Sequence, residues 1–137
     1  MSWKIVDHTA DMGLEVRTDT LEGLFIEAAR GLYFVCLHGG AGMEHLESGE
    51  RESIRVDGLD LEELMVSWLN ELLFVLESRS LLFLPSSVHL RKPPLSLFSE
   101  GTLAAVRPVS IPVKAATYGG LVLREVPEPF LRIFLDM

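Results

Sequence analysis

Two stretches of the chain carry large apolar residues at the three-and-four spacing of an amphipathic helix. Leu21, Leu24, Phe25, Ala28 and Leu32 form the first stripe, and Thr20, just before it, has a hydroxyl able to accept from the free amides of a first turn. The spacing predicts a helix over residues 21–37, with Glu22 in its first turn and Gly39 and Gly40 closing it. Gly31 lies inside that helix at a cost of about 1 kcal/mol relative to alanine, which points to close packing. The second stripe is Leu61, Leu64, Met65, Trp68, Leu69, Leu72 and Leu76, with Asp60 as its cap. Glu62, Glu63, Ser67, Asn70, Glu71 and Glu77 fall off the stripe and are expected at the surface. A stripe of this spacing is more often core than a partner-binding ridge, so Met65 and Trp68 are assigned to the core.

Elsewhere the period shortens to two. Trp3 and Ile5 flank Lys4, and Leu14 and Val16 alternate with Glu15 and Arg17, which predicts two short strands around residues 7–11 or one long kinked strand. Residues 39–52 are glycine- and charge-rich without periodicity and are expected to form a loop, and Ile54 and Val56 alternate within a strand over 53–57. Short apolar runs follow at 81–84 and 88–90, then strand-like segments at 102–106 and 113–118. Two prolines within 91–94 should interrupt a strand, and Pro108 and Pro112 confine the residues between them to an edge or bulge. Gly119 and Gly120 offer a turn before two last strands, 121–126 and 130–136, joined by Pro-Glu-Pro.

Two helices and about seven strands, with runs of strands in place of strict strand–helix alternation, predict an α+β fold. It is expected to be a single domain over residues 1–137, mostly antiparallel sheet with the two main helices packed on one face. With 137 residues, 48% hydrophobic and 23% charged, the chain has enough apolar surface for one core without disulfides. The lone Cys36, between Val35 and Leu37, fits a buried structural position. No charged-then-apolar leader follows Met1 and no apolar run approaches about 20 residues, so a cytoplasmic, non-membrane protein is expected. Twelve Lys+Arg against 20 Asp+Glu give a formal charge of −8. That balance opposes direct binding to a phosphate backbone, so contact with RNA would be indirect, and it suits a metal cation or a basic protein partner.

The candidate chemistry is acidic. Asp7 and Asp11 bracket His8, Thr9 and Ala10, and Asp136 stands beside the terminal carboxylate of Met137. On one regular strand Asp7, Thr9 and Asp11 would share a side, so a bulge would be needed to turn them apart. If the last strand pairs with the first, Asp11, Asp136 and the Met137 carboxylate crowd three negative charges together, which is repulsive unless a cation sits among them. Oxygen-only donors suit Ca²⁺ or Mg²⁺ and not zinc. Taken alone, acids near chain ends are ordinarily solvated, and His8 is open to reading as ligand, base or hydrogen-bonded structural residue. There is no GxGxxG or Walker loop, CxxC pair, HExxH or GxSxG sequence, so neither a cofactor-binding nor a catalytic residue is nominated.

Asp7-His8-Thr9-Ala10-Asp11, then Gly13 and Thr20-Leu21-Glu22, resemble the N-terminal signature of the archease family. In order along the chain, Asp60-Leu61-Glu62-Glu63-Leu64, Trp68-Leu69-Asn70-Glu71-Leu72-Leu73, Leu81-Leu82-Phe83, Val113-Lys114-Ala115-Ala116-Thr117-Tyr118 and Leu135-Asp136-Met137 resemble the rest of it. The resemblance implies a compact α+β protein that binds a divalent cation, calcium first and magnesium as the alternative. The implied ligands are Asp11, Asp136 and the terminal carboxylate of Met137. It further implies an accessory protein, not an enzyme, that activates the GTP-dependent RNA-splicing ligase in tRNA splicing or RNA repair by promoting its guanylylation and turnover. A chaperone-like adaptor for an RNA-modifying enzyme is the alternative, and a metal-dependent hydrolase a third reading. Many archeases continue with histidine after Thr-Tyr, where this chain has Gly119, and Met137 stands where isoleucine is usual.

Overall fold

Both helices start where their caps predict. The computed structural model describes residues 2–7, 11–37, 49–106 and 111–137. In helix α1 (Leu21–Cys36) the Thr20 hydroxyl accepts from the Gly23 amide at 3.0 Å, and the helix ends as the Leu37 amide donates to the Tyr33 carbonyl at 2.9 Å. The expected end at residue 37 is thus its C-cap; Gly39 and Gly40 lie outside the described residues. In helix α2 (Leu61–Arg79) the Asp60 carboxylate accepts from the Glu63 amide at 2.8 Å, and Ser80 closes the helix in the left-handed region at φ 53°.

The seven strands are β1 (Ser2–Asp7), β2 (Asp11–Arg17), β3 (Arg51–Asp57), β4 (Leu81–Arg91), β5 (Ser96–Ala105), β6 (Ala115–Arg124) and β7 (Phe130–Asp136). The α+β, antiparallel expectation holds, with the strands divided between two sheets in the orders β1-β2-β7-β6 and β3-β5-β4. Several boundaries differ from expectation. The runs at 81–84 and 88–90 are one strand whose register shifts between Pro85 and Ser87. Gly119 and Gly120 do not end a strand: β6 runs through them, with its register to β7 shifting between Thr117 and Val122. Strand β5 begins at Ser96, well before the expected 102, and β3 begins at Arg51 instead of 53. In each case pairing with a neighbour continued a strand that local composition had cut short. Residues 107–110, including Pro108, and most of the expected 39–52 loop lie outside the described residues.

Helix α1 packs against β1, β2 and β4, and α2 against β6, β3, β4 and β5, so each helix touches both sheets. That placement explains why α1 is buried around much of its circumference, Gly31 included. Met65 and Trp68 are fully buried, as expected of core residues. The polar ends of the large aromatics are satisfied: Trp68 Nε1 donates to the Phe25 carbonyl at 2.9 Å and the Tyr33 hydroxyl to the Phe83 carbonyl at 2.6 Å. Cys36 is buried, and burial first, then the charge of Glu77, pushes its thiol up to about 12, consistent with a structural role. Among the described residues no helix is long and apolar enough to cross a membrane.

Candidate metal centre

Strands β1 and β2 form an antiparallel hairpin in which Asp7 stands opposite Met12. The single-strand alternative is therefore excluded, and the rule that Asp7 and Asp11 share a side does not apply, because the chain reverses between them. His8, Thr9 and Ala10 fall outside the described residues. The last strand pairs with β2, not with β1, and that register sets Asp11 directly opposite Asp136. On the other side of β7, Ala115 of β6 is opposite Asp136, and the Lys114 amide donates to the Asp136 carbonyl at 2.7 Å.

Alternation decides which way these residues face. Met12, Leu14 and Val16 of β2 and Leu131, Ile133 and Leu135 of β7 belong to the core or pack against it. Asp11 and Asp136 therefore share the outer face of the four-stranded sheet with Gly13, Glu15, Phe134 and Arg132. Directly opposed residues of an antiparallel pair hold their Cβ atoms about 4.5–5.5 Å apart, which brings the two carboxylates within reach of one cation. Asp136 itself is exposed, with Ala115 as its neighbour across the β6–β7 pairing. Met137 follows on the core-facing side and its side chain packs against the core, which tethers the residue beside Asp136.

Among the described residues no three His, Cys, Asp or Glu side chains gather where they could share an ion. The nominated set offers two carboxylate side chains, and the resemblance implies the Met137 carboxylate as a third donor. Asp11 and Asp136 enter none of the ion pairs found among the described residues of this face, which are Lys4–Glu15, Arg17–Glu128 and Arg132–Glu15. Like charges directly opposed without a counter-charge destabilise the pairing, and a divalent cation relieves that repulsion. The donor set, all hard oxygen, fits calcium or magnesium.

Three features of the surrounding framework were not nominated from the sequence. Glu15, only 7% exposed, receives Arg132 Nε at 2.9 Å and lies 3.4 Å from Lys4 Nζ, tying β1, β2 and β7 together along the same face. Burial raises its carboxyl, but the hydrogen bonds and charges of Arg132 and Lys4 outweigh burial and hold it below the ordinary value. Asn70, expected at the surface, instead clamps β6: its Oδ1 accepts from the Ala116 amide at 2.8 Å and its Nδ2 donates to the Ala116 carbonyl at 3.3 Å. That clamp holds the strand segment carrying Ala115 against α2. Gly13 stands opposite Phe134; a Cβ there would lie 2.8 Å from the Val6 carbonyl oxygen and 3.1 Å from the Phe134 ring. The alternation Leu14-Glu15-Val16 did mark Glu15 as off the core, but its partner could be found only once the β2–β7 register was known.

Residues 3–137 match the archease protein family. An archease from Methanopyrus kandleri is 36% identical over 83 residues, 61% of this chain and 56% of that protein, so the chain spans little more than half of that relative's length. An archease from Pyrococcus abyssi is 27% identical over 132 residues, 92% of this chain and 90% of that protein. A Methanobacterium thermoautotrophicum protein solved in solution shares the fold with a TM-score of 0.74 at 23% identity over 98% of both chains. An archease from Thermotoga maritima, named as a possible chaperone, superimposes with a TM-score of 0.59 at 16% identity, covering 98% of this chain and 96% of that one. At these identities the two structures establish likeness of fold, while the sequence match runs through both strands that carry the paired aspartates. This chain belongs to the archease protein family.

Proposed function

We propose that this protein is a metal-binding accessory protein that activates a GTP-dependent RNA ligase by promoting its guanylylation and turnover. The observation that carries the reading is the direct opposition of Asp11 and Asp136 on neighbouring strands, with Met137 anchored beside them. On this reading Asp11, Asp136 and the terminal carboxylate of Met137 hold a divalent cation, calcium in the first instance. Bound there, the cation supplies a positive charge for phosphate oxygens of the nucleotide at the partner's active site.

The chain's own residues build and aim that tip. The Glu15–Arg132–Lys4 cluster fixes the register that opposes the aspartates, and Asn70 fixes the edge strand beside them. On this reading the reacting groups belong to the partner. The excess of acidic residues favours a basic protein surface as the docking site and makes contact with RNA indirect.

The test is deletion of Asp136 and Met137, followed by ligase guanylylation with GTP and by calcium titration of the truncated protein. Loss of both is expected. Full guanylylation by the truncated protein would sink the proposal. The chaperone-like adaptor is the second reading, favoured by the name of the Thermotoga maritima relative. An adaptor of that kind would keep its partner soluble equally well with Asp11→Ala, which leaves the acidic surface largely intact.

A further inference from the structure

At the end of the four-stranded sheet remote from the paired aspartates, the chain forms a second feature. Arg17, Phe130 and Arg124 are aligned across β2, β7 and β6 at that end, whereas Asp11, Asp136 and Ala115 are aligned at the other. The first turns of α1 and α2, the end of β4, the β4–β5 turn and the residue after β6 surround a cleft of about 610 Å³ there. Leu21, Leu59, Leu61, Leu90 and Leu95 give it an apolar lining. Glu22, Asp60, Glu62 and Glu125 contribute four carboxylates against the single ammonium of Lys92.

Part of this acidity serves the helices. Glu22 lies in the first turn of α1, Asp60 caps α2 and Glu62 lies in the first turn of α2, where negative charge is favourable. Glu125 has no such role, since it follows β6 and lies in no helix. The Leu59 amide donates to the Glu63 carboxylate at 3.1 Å, but capping does not account for the Leu59 side chain. It occupies the position before the N-cap, where an apolar residue ordinarily folds back onto the fourth helical residue, here Leu64. Leu64 is fully buried, yet Leu59 is 91% exposed. Val126, next to Glu125, is 77% exposed. Large apolar side chains held in water beside an apolar cleft mark a surface built to be covered.

We infer that this cleft docks a short basic and apolar segment of a partner polypeptide, with a large apolar side chain on the leucine floor and flanking Lys or Arg on the carboxylate rim. Charge complementarity selects that occupant: the rim repels anionic membranes and nucleic-acid phosphates, and the leucines favour a side chain over a bare cation. The inference does not rest on the metal-site reading, because the two features share no residue.

The probe is a fluorescein-labelled synthetic hexapeptide, Lys-Leu-Arg-Phe-Lys-Leu, titrated with the full chain and followed by anisotropy. Two control peptides replace Leu and Phe by Ser, or Lys and Arg by Glu. Saturable binding of the first peptide alone is expected, weakened about tenfold by Leu59→Asp and by the pair Glu62→Lys and Glu125→Lys. Leu59 is exposed, so its variant keeps the wild-type circular dichroism spectrum; the charge-reversed pair gains affinity for the acidic control. Asp11→Asn leaves peptide binding unchanged, which separates failure here from failure of the metal site. Equal binding of the Ser control, absence of saturable binding, or insensitivity to Leu59→Asp overturns the inference. A dimer in sedimentation that Leu59→Asp dissociates overturns it too, by identifying a second copy of this chain as the occupant.

Discussion

Asp11 and Asp136 face each other directly across the β2–β7 ladder, on the outer face of the sheet. Neither carboxylate has an ion-pair partner among the described residues, so their direct opposition is a local cost.

Without metal, Asp136→Asn is therefore expected to stabilise the protein by roughly 0.2–1 kcal/mol at low salt. With calcium at about 100 times its Kd, wild type should gain about 2.7 kcal/mol and the variant far less. Urea denaturation with and without calcium checks both; a variant that gains as much from calcium as wild type removes Asp136 from the site.

The acid limb of stability should report on Glu15. Its folded pKa lies below the ordinary 4.5, so its contribution is complete above about pH 4.5 and is lost as pH falls through the lowered folded value. Glu15→Gln should flatten that limb in stability–pH profiles. Arg132→Met, which leaves the buried carboxylate with Lys4 alone, is expected to cost about 1–3 kcal/mol near neutral pH.

Asn70→Asp keeps an acceptor for the Ala116 amide but loses the donor to the Ala116 carbonyl. A loss of about 1–3 kcal/mol is expected. Because β6 borders Asp136, amide exchange at Ala115 and Ala116 should quicken in the variant; unchanged protection there would contradict the clamp.

Two glycines near the tip should respond oppositely. Gly13→Ala forces a methyl against the Val6 carbonyl and the Phe134 ring, at an expected cost of about 1–3 kcal/mol. Among the described residues nothing lies within 4 Å of where a Cβ at Gly119 would sit, so Gly119→His, the histidine that the family resemblance implies here, should change stability by less than about 0.5 kcal/mol. Thermal melts of both variants decide it.

Cys36, with its thiol pushed up to about 12, should resist a thiol reagent at neutral pH in the folded protein and react once denatured. Rapid labelling of the native protein would contradict the buried placement.

The helices and the last strand were legible in the chain. Helical hydrogen bonds are local, so the stripe from Leu21 to Leu32 and the caps Thr20 and Asp60 carry their own instructions, and the uninterrupted residues 130–136 needed no partner to be recognised. Asp11 and Asp136 could be nominated by charge and by resemblance. Only the tertiary structure decided that they meet, because a strand's partner and register follow from burying Leu14 and Val16 together with Leu131 and Ile133, a choice no local window contains. For the same reason the continuity of β6 through Gly119 and Gly120, the division into two sheets, the Asn70 clamp and the Glu15–Arg132 pair became visible only once distant segments were packed against each other.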